Sequence, residues 1–287
     1  MDELNGFNSD ISVLMSVYAR ETAGHLRQCF DSLLSQTMLA REWVVVEDGP
    51  LTDELYDALD EYERLHPGLL LRVPLEKNQG LGPALREGLS RCSYELVARM
   101  DTDDIAASTR FEDQIERFRQ NPQLDICGGQ IAEFDESPEN VIDYRNVPLE
   151  HDEIVRYQRW RSAFNHMTVM YKKESVIRAG SYEDAPLMED DVLWAHMIQS
   201  GCRCCNLDRV LVYARADMAM IGRRGSASYL RKYFNGRKKM RECGFISERE
   251  LLGSMLIQSV VALSPPWLRK AVFRTALRRK AVRSDAA

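Results

Sequence analysis

Three acids stand together at Met100-Asp-Thr-Asp-Asp104, directly after the apolar run Tyr94-Glu-Leu-Val-Ala-Arg-Met100. If that run is a strand, the acids lie at its carboxyl end, where open α/β sheets bind their ligands. Residues two apart in extended backbone share a face, so Asp101 and Asp103 point the same way and can hold one hard cation, while Asp104 points away. Mg²⁺ or Mn²⁺ held by one or two carboxylates and by substrate phosphates suits a reaction in which a diphosphate leaves. The competing role for the same acids is the negatively charged first turn of the next helix, which is what Asp104 is expected to do. Glu47-Asp48 ends a second apolar run and would line the same sheet edge; a solvated turn before Gly49-Pro50 is the alternative. Tyr18 closes the first apolar run, where its ring could stack on a base or simply pack.

These side chains need a frame, and the first hundred residues supply one by alternating short apolar runs with amphipathic segments, the pattern of βαβ units around a mostly parallel sheet. Strands are expected at Ile11 to Val17, Trp43 to Asp48, Leu69 to Pro74 and Tyr94 to Met100, with helices at Gly24 to Ser35, Leu51 to Leu65 and Gln79 to Arg91. A second region follows: a helix at Thr109 to Arg119, strands at Leu124 to Phe134 and Val141 to Val147, a helix at His151 to Trp160, a strand at Met167 to Tyr171, a helix at Glu189 to Ser200 ended by Gly201, and strands near Cys204 and Val210. From Ser226 the chain reads as helices, over Ser228 to Arg241, Glu248 to Leu263 and from Trp267 onward. The expected divisions are 1–107, 108–225 and 226–287.

Composition narrows the partners. The 287 residues carry a net charge of −6, but residues 222–287 hold sixteen Lys and Arg against four acids, leaving 22 bases against 40 acids in the rest. An acidic body of this kind argues against nucleic acid as the ligand, whereas the basic end suits an anionic surface. Seven cysteines, clustered only at Cys202-Arg-Cys-Cys205 and with no second C-x-x-C to pair with that spacing, fit a reducing cytosol. Ile11 to Val17 is too short to span a bilayer and follows an acidic decapeptide, so neither a membrane span nor a signal peptide is expected.

Taken together, Val13-Leu-Met-Ser-Val-Tyr18, Val44-Val-Val-Glu-Asp-Gly49, Asn78-Gln-Gly80 with Ala84-Leu-Arg86 and Gly88, Met100-Asp-Thr-Asp-Asp104, and Glu189-Asp190 with Leu193-Trp194 resemble the family 2 glycosyltransferases in order and approximate spacing. The resemblance covers about residues 11–225 and is nearest the bacterial members that build exopolysaccharide and O-antigen units, as Asn165-His166 before Val169-Met-Tyr-Lys-Lys173 also suggests. It implies an α/β GT-A fold with a helical C-terminal extension, a nucleotide-sugar donor, UDP-linked by preference, and a glycan or lipid-linked saccharide acceptor. Tyr18 and Asp48 would hold the base, Asp101 the ribose and a metal-bound water, Asp103 the metal, and Arg86 would sit near the ribose and phosphates. Glu47, Asn78, His166, Glu189 and Trp194 would line the substrate sites. Asp190 would be the base: a carboxylate near a helix start can take a proton from the acceptor hydroxyl as that oxygen attacks the anomeric carbon opposite the leaving diphosphate, which inverts the centre. On sequence alone Glu189-Asp190-Asp191 is equally well an acidic first turn.

Ala19 where the family often has Asn, Glu47 for a frequent Asp, and Asp191 for a common aromatic depart from the pattern; the last would raise the pKa of Asp190. The Gln-x-x-Arg-Trp segment of polymerising members is absent, so one sugar per acceptor is expected. Arg223 and Arg224 could close over the diphosphate or form a solvated basic face. The stripe Leu251, Leu252, Met255, Leu256, Val260 and Leu263, followed by a basic segment from Trp267, suits peripheral attachment to the inner face of a plasma membrane, with packing on the body as the alternative. A nicotinamide-dependent oxidoreductase would need Gly-x-Gly-x-x-Gly after the first strand and a sugar-nucleotide pyrophosphorylase a Gly-rich loop there; Tyr18-Ala-Arg-Glu-Thr-Ala-Gly24 is neither. The non-enzymatic alternative is a nucleotide-binding scaffold of the same fold, against which stands the retention of every expected acid.

Overall fold

A computed structural model describes residues 8–216 and 226–264. One nine-stranded sheet runs in the order β3-β2-β1-β4-β8-β6-β9-β5, with β7 (Val141–Arg145) paired to β6. The parallel block comprises β1 (Asn8–Val17), β2 (Leu39–Glu47), β3 (Leu70–Pro74) and β4 (Leu96–Arg99). Beyond it lie β8 (Met170–Lys172), antiparallel to both β4 and β6 (Leu124–Phe134), then β9 (Arg203–Arg215), parallel to β6, and β5 (Ile105–Ala106) at the edge. The sheet therefore crosses the expected 107/108 division without interruption.

Alternation along the buried strands builds a core on each face. From β1 and β2, Val13, Met15, Val17, Trp43 and Val45 pack with helices α1 (Ala23–Leu34), α2 (Asp53–Leu65) and α4 (Arg110–Gln120). Leu14, Val44 and Val46 go to the other side, against α3 (Leu81–Arg91) and the aromatic group Phe164, Tyr171 and Trp194. Each such side chain contributes about 1.5–3 kcal/mol when removed from water. Thr22 and Thr52 cap α1 and α2 by accepting from the backbone of His25 and Leu55, which fixes where the chain turns back after β1 and β2.

The second region adds α5 (His151–Gln158), a 3-10 turn at His166–Thr168, α6 (Lys173–Arg178) and α7 (Glu189–Gln199). Two helices follow, α8 (Ala227–Glu242) and α9 (Glu248–Leu263), and they dock on α7 through Met188, Val192, Met240, Phe245, Ile246 and Leu251. Buried Arg237 stitches them, donating to Ser254 Oγ at 3.1 Å and to the carbonyl of Arg159 at 2.5 Å.

Several elements differ from expectation. The Met167 to Tyr171 strand is instead the 3-10 turn plus the short β8, because Asn165 donates to the carbonyls of Gly129 and Arg145 and bends the chain before it can pair. The strands near Cys204 and Val210 are one strand, β9, with register shifts opposite Gly129 and Gln130. Asp104 does not start a helix: β5 follows it, and α4 begins at Arg110. The helix expected from Trp267 lies outside the described residues, as do Arg223 and Arg224.

Candidate active site

The Asp101–Asp104 turn leaves the carboxyl end of β4 and is tied down on every side. Cys29 Sγ donates to the carbonyl of Asp101 at 3.4 Å, and Thr102 Oγ1 to that of Ser16 at 3.4 Å. From the end of β9, the backbone N–H of Arg215 donates to Asp104 Oδ1 at 2.9 Å, and its Nε to the Asp103 carbonyl at 3.2 Å. Asp104 is 4% exposed, so its job is to hold the turn against β9, not to cap a helix. Carboxylate oxygens of Asp101, Asp103 and Asp104 nevertheless all lie within 4.8 Å of one another.

Crowded carboxylates titrate upward. Burial, then the charge of Asp101, raises Asp103; burial, then Asp101 and Asp103, raises Asp104 well above the usual range. Glu21, in the turn after Tyr18, is pushed to about 7 by burial and by Asp103 and Asp101. An oxygen-only donor set whose members repel one another fits a hard divalent cation such as Mg²⁺ or Mn²⁺. Asp101 is the exception: burial would raise it, but the Arg99 charge and the His166 hydrogen bond hold it well below the usual carboxylate range.

Asp190 sits in the first turn of α7 and joins this group through His166. The ring's Nε2 lies 3.1 Å from Asp101 Oδ2 and its Nδ1 lies 3.8 Å from Asp190 Oδ2. Burial raises the pKa of Asp190 although His166 and Arg99 pull it down. Its Oδ1 is buried and has no hydrogen-bond partner among the described residues, and the same holds for Glu189 Oε2. Burial, then Asp190, carries Glu189 to about 7. Asp191 faces elsewhere, accepting from Gln158 Nε2 at 2.9 Å. Glu189 also walls a cavity of about 150 Å³ shared with Gly80, Gly82, Pro83, Ala185 and Leu187. A Cβ on Gly82 would stand 2.4 Å from the carbonyl oxygen of Glu183, so only glycine allows α3 to start this close to the loop before α7.

The remaining expected residues fall into two groups. Tyr18 is 39% exposed beside the turn that carries Glu21, and Arg86 lies on the exposed side of α3 with Nη1 3.5 Å from the Tyr182 carbonyl. Of the others, Glu47, Asp48 and Trp194 are buried, while Asn78 is exposed. Asp48 is 4% exposed and both its carboxylate oxygens are engaged, with Gln79 N at 2.6 Å and Gly80 N at 3.0 Å. Asn78 Nδ2 donates back to the Asp48 carbonyl at 3.1 Å. Glu47 is paired with Arg72 at 2.5 Å. Trp194 is 0% exposed and packs on Phe164 and Tyr171, so it reaches no open surface. Arg99, Glu21 and Arg215 also stand at this site, beyond the residues expected from their motifs. Arg99 carried a usable signal, a lone cation inside an apolar strand next to the acids.

The model of glycosyl transferase family 2 matches residues 12–184. The amylovoran biosynthesis glycosyltransferase AmsE of Erwinia amylovora is 39% identical over 238 residues, covering 82% of this chain and 88% of that protein. The Escherichia coli UDP-Gal:alpha-D-GlcNAc-diphosphoundecaprenol beta-1,3-galactosyltransferase is 31% identical over 268 residues, 93% of this chain and 96% of its own. In fold, the chain is similar to TarS of S. aureus in complex with UDP-GlcNAc (TM-score 0.62, 17% identity, 94% of this chain and 76% of that one). It is also similar to the mannosyltransferase PcManGT of Pyrobaculum calidifontis in complex with GDP-Man and Mn²⁺ (TM-score 0.60, 17% identity, 95% and 81%). With the family model covering more than half of its length, the chain belongs to glycosyltransferase family 2 and is a glycosyltransferase of GT-A fold.

Proposed function

We propose that the chain is an inverting, metal-dependent, non-processive transferase that moves one sugar from a UDP-sugar to a hydroxyl of a lipid-linked saccharide in surface polysaccharide synthesis. The observation that carries this reading is the pairing of an acid cluster suited to a hard cation with a buried, unpartnered carboxylate oxygen on Asp190, one imidazole away. Asp103, with Asp101, would hold Mn²⁺ or Mg²⁺, which would offset negative charge on the departing diphosphate. Asp190 accepts the proton of the acceptor hydroxyl as its oxygen bonds to the anomeric carbon and the carbon–oxygen bond to the diphosphate breaks. The products are the glycoside, the nucleoside diphosphate and protonated Asp190.

The preference for UDP and a polyprenyl-linked acceptor rests on the Escherichia coli relative, whose name specifies UDP-galactose and a GlcNAc-diphosphoundecaprenol. An acceptor in a lipid layer also gives meaning to α9, where Leu252, Leu256, Ile257, Val260 and Leu263 are 58–84% exposed. No helix among the described residues is long and apolar enough to cross a membrane, so attachment would be to the surface, aided by the basic end of the chain. Incubation of the protein and Mn²⁺ with a panel of nucleotide sugars and a polyprenyl diphosphate-linked GlcNAc tests the reading. One UDP-sugar should give a product whose anomeric configuration, read by NMR coupling, is opposite to the donor's. Retention, or metal-independent transfer, would overturn it.

A further inference from the structure

Asp101 and Asp190 come from elements about ninety residues apart, yet they approach one another in a buried site where like charges repel. Something must hold them at a working separation. Two side chains connect them: His166 reaches both acids, and Arg99 pairs with Asp101. Arg99, on β4, is 1% exposed; its Nη1 is ion-paired with Asp101 Oδ1, and its charge also acts on Asp190. His166, on the 3-10 turn, presents one ring nitrogen to each acid, at 3.1 and 3.8 Å.

The backbone fixes both groups. Arg99 N donates to the Val169 carbonyl at 2.9 Å, and Arg110 Nη2 donates to the Arg99 carbonyl at 2.7 Å. Thr168 Oγ1 donates to the Asn165 carbonyl at 2.7 Å and accepts from Gly129 N at 3.0 Å, which locks the turn that carries His166. Arg99 is costly where it stands: Nε and Nη2 are buried and find no acceptor among the described residues, and a buried ion pair is often no more stabilising than apolar side chains of similar volume. A fold needing only to fill β4 would place an apolar side chain there, as it does at the neighbours Val97 and Ala98.

We propose that Arg99 and His166 are positioning residues that set the base Asp190 relative to Asp101 at the metal-binding turn, with Arg99 as the buried cation that holds Asp101 and His166 as the strut joining the two acids. The inference rests on the transferase reading of Asp190 but not on the identity of the sugar. It predicts that damage to Arg99 appears much more strongly in the chemical step than in donor binding, because Asp103 keeps its place at the metal-binding turn while Asp101 and the base lose their mutual setting.

The test uses the full chain with Mn²⁺. Arg99→Met should bind UDP within about 3-fold of wild type while kcat falls by about 100-fold, the scale of an ångström of misplacement at a reacting centre. Arg99→Lys, which keeps the charge without the fork, should recover part of kcat. Equal loss of binding and kcat, with no recovery in Arg99→Lys, would make Arg99 merely structural and overturn the proposal, as would an unchanged kcat. A second readout does not need turnover: the His166 ring-nitrogen NMR signals, assigned by their loss in His166→Gln, should move in Arg99→Lys and in Asp190→Asn while those of the other histidines stay. If they move and no donor is consumed, the transferase reading fails and the positioning network stands. If Arg99→Met does not fold, Arg99→Lys decides alone: His166 signals unmoved and kcat unchanged there would refute the network.

Discussion

Asp48 gives a prediction that separates two roles. The family resemblance makes it a partner of the nucleotide base, but in this chain both of its oxygens already accept backbone N–H groups of the 78–80 loop, at 2.6 and 3.0 Å. Gly49 belongs to the same tie: its φ is +85° and a Cβ there would stand 2.5 Å from Asn78 N, so the loop packs flush on the end of β2. Asp48→Asn keeps the shape, removes the charge from one hydrogen bond and turns an NH₂ group toward the second N–H. Charge-assisted bonds contribute about 1.5–3 kcal/mol each and a stranded buried donor costs about 1–3 kcal/mol, so a net loss of ~2–4 kcal/mol is expected. At about 2–4 °C per kcal/mol for a domain of this size, the melting temperature of the nucleotide-free protein should fall by roughly 5–15 °C. Melting curves with and without UDP and Mn²⁺ measure it. If the nucleotide-free protein melts within about 1 °C of wild type and only the stabilisation by UDP is lost, Asp48 serves the base and the loop-anchoring argument is wrong.

Three further outcomes follow from the same geometry. Glu21 and Glu189 have folded-state pKa values near 7, above their unfolded values, so the folded chain binds more protons between the two and should melt higher at about pH 6 than at about pH 8. Mn²⁺ with UDP should flatten that trend, while transfer falls with falling pH as the raised Asp190 carboxyl takes up its proton. Gly82→Ala, with its Cβ 2.4 Å from the Glu183 carbonyl, should cost about 1–3 kcal/mol in thermal unfolding and slow transfer by pushing α3 from the loop that leads into Glu189 and Asp190. Leu256→Glu combined with Val260→Glu, both on the exposed side of α9, should abolish flotation with anionic vesicles and leave the fold intact; equal flotation of variant and wild type would remove α9 from the attachment surface.

The parallel half of the sheet was legible because strands buried on both faces read as unbroken apolar runs, as Trp43 to Val46 does, and farther on Gly201 marks the end of α7 by local chemistry. The antiparallel half was less so. The middle of β9 exposes Asp208 and Arg209, so one strand reads as two, and the turn at His166 depends on Asn165 reaching carbonyls 20 and 36 residues away. At the site, spacing put Asp101 and Asp103 on a common edge but could not tell that Asp104 faces Arg215 from a strand more than a hundred residues on. Nor could it separate residues that face a ligand from those that hold the frame. Asp48, Asn78, Glu47 and Trp194 all carry motif identity, and only the fold reveals the contacts their side chains also make with backbone, Arg72 or the core.

The central claim is that the Asp101–Asp103 edge binds the metal and nucleotide while Asp190 moves the proton. Calorimetric titration of UDP with Mn²⁺ alongside transfer rates in Asp103→Ala and Asp190→Asn tests it most directly. Asp103→Ala should lose metal-dependent UDP binding, whereas Asp190→Asn should bind UDP as wild type does and transfer at least about 100-fold more slowly. Near-normal transfer by Asp190→Asn, or undiminished metal-dependent binding in Asp103→Ala, would contradict it.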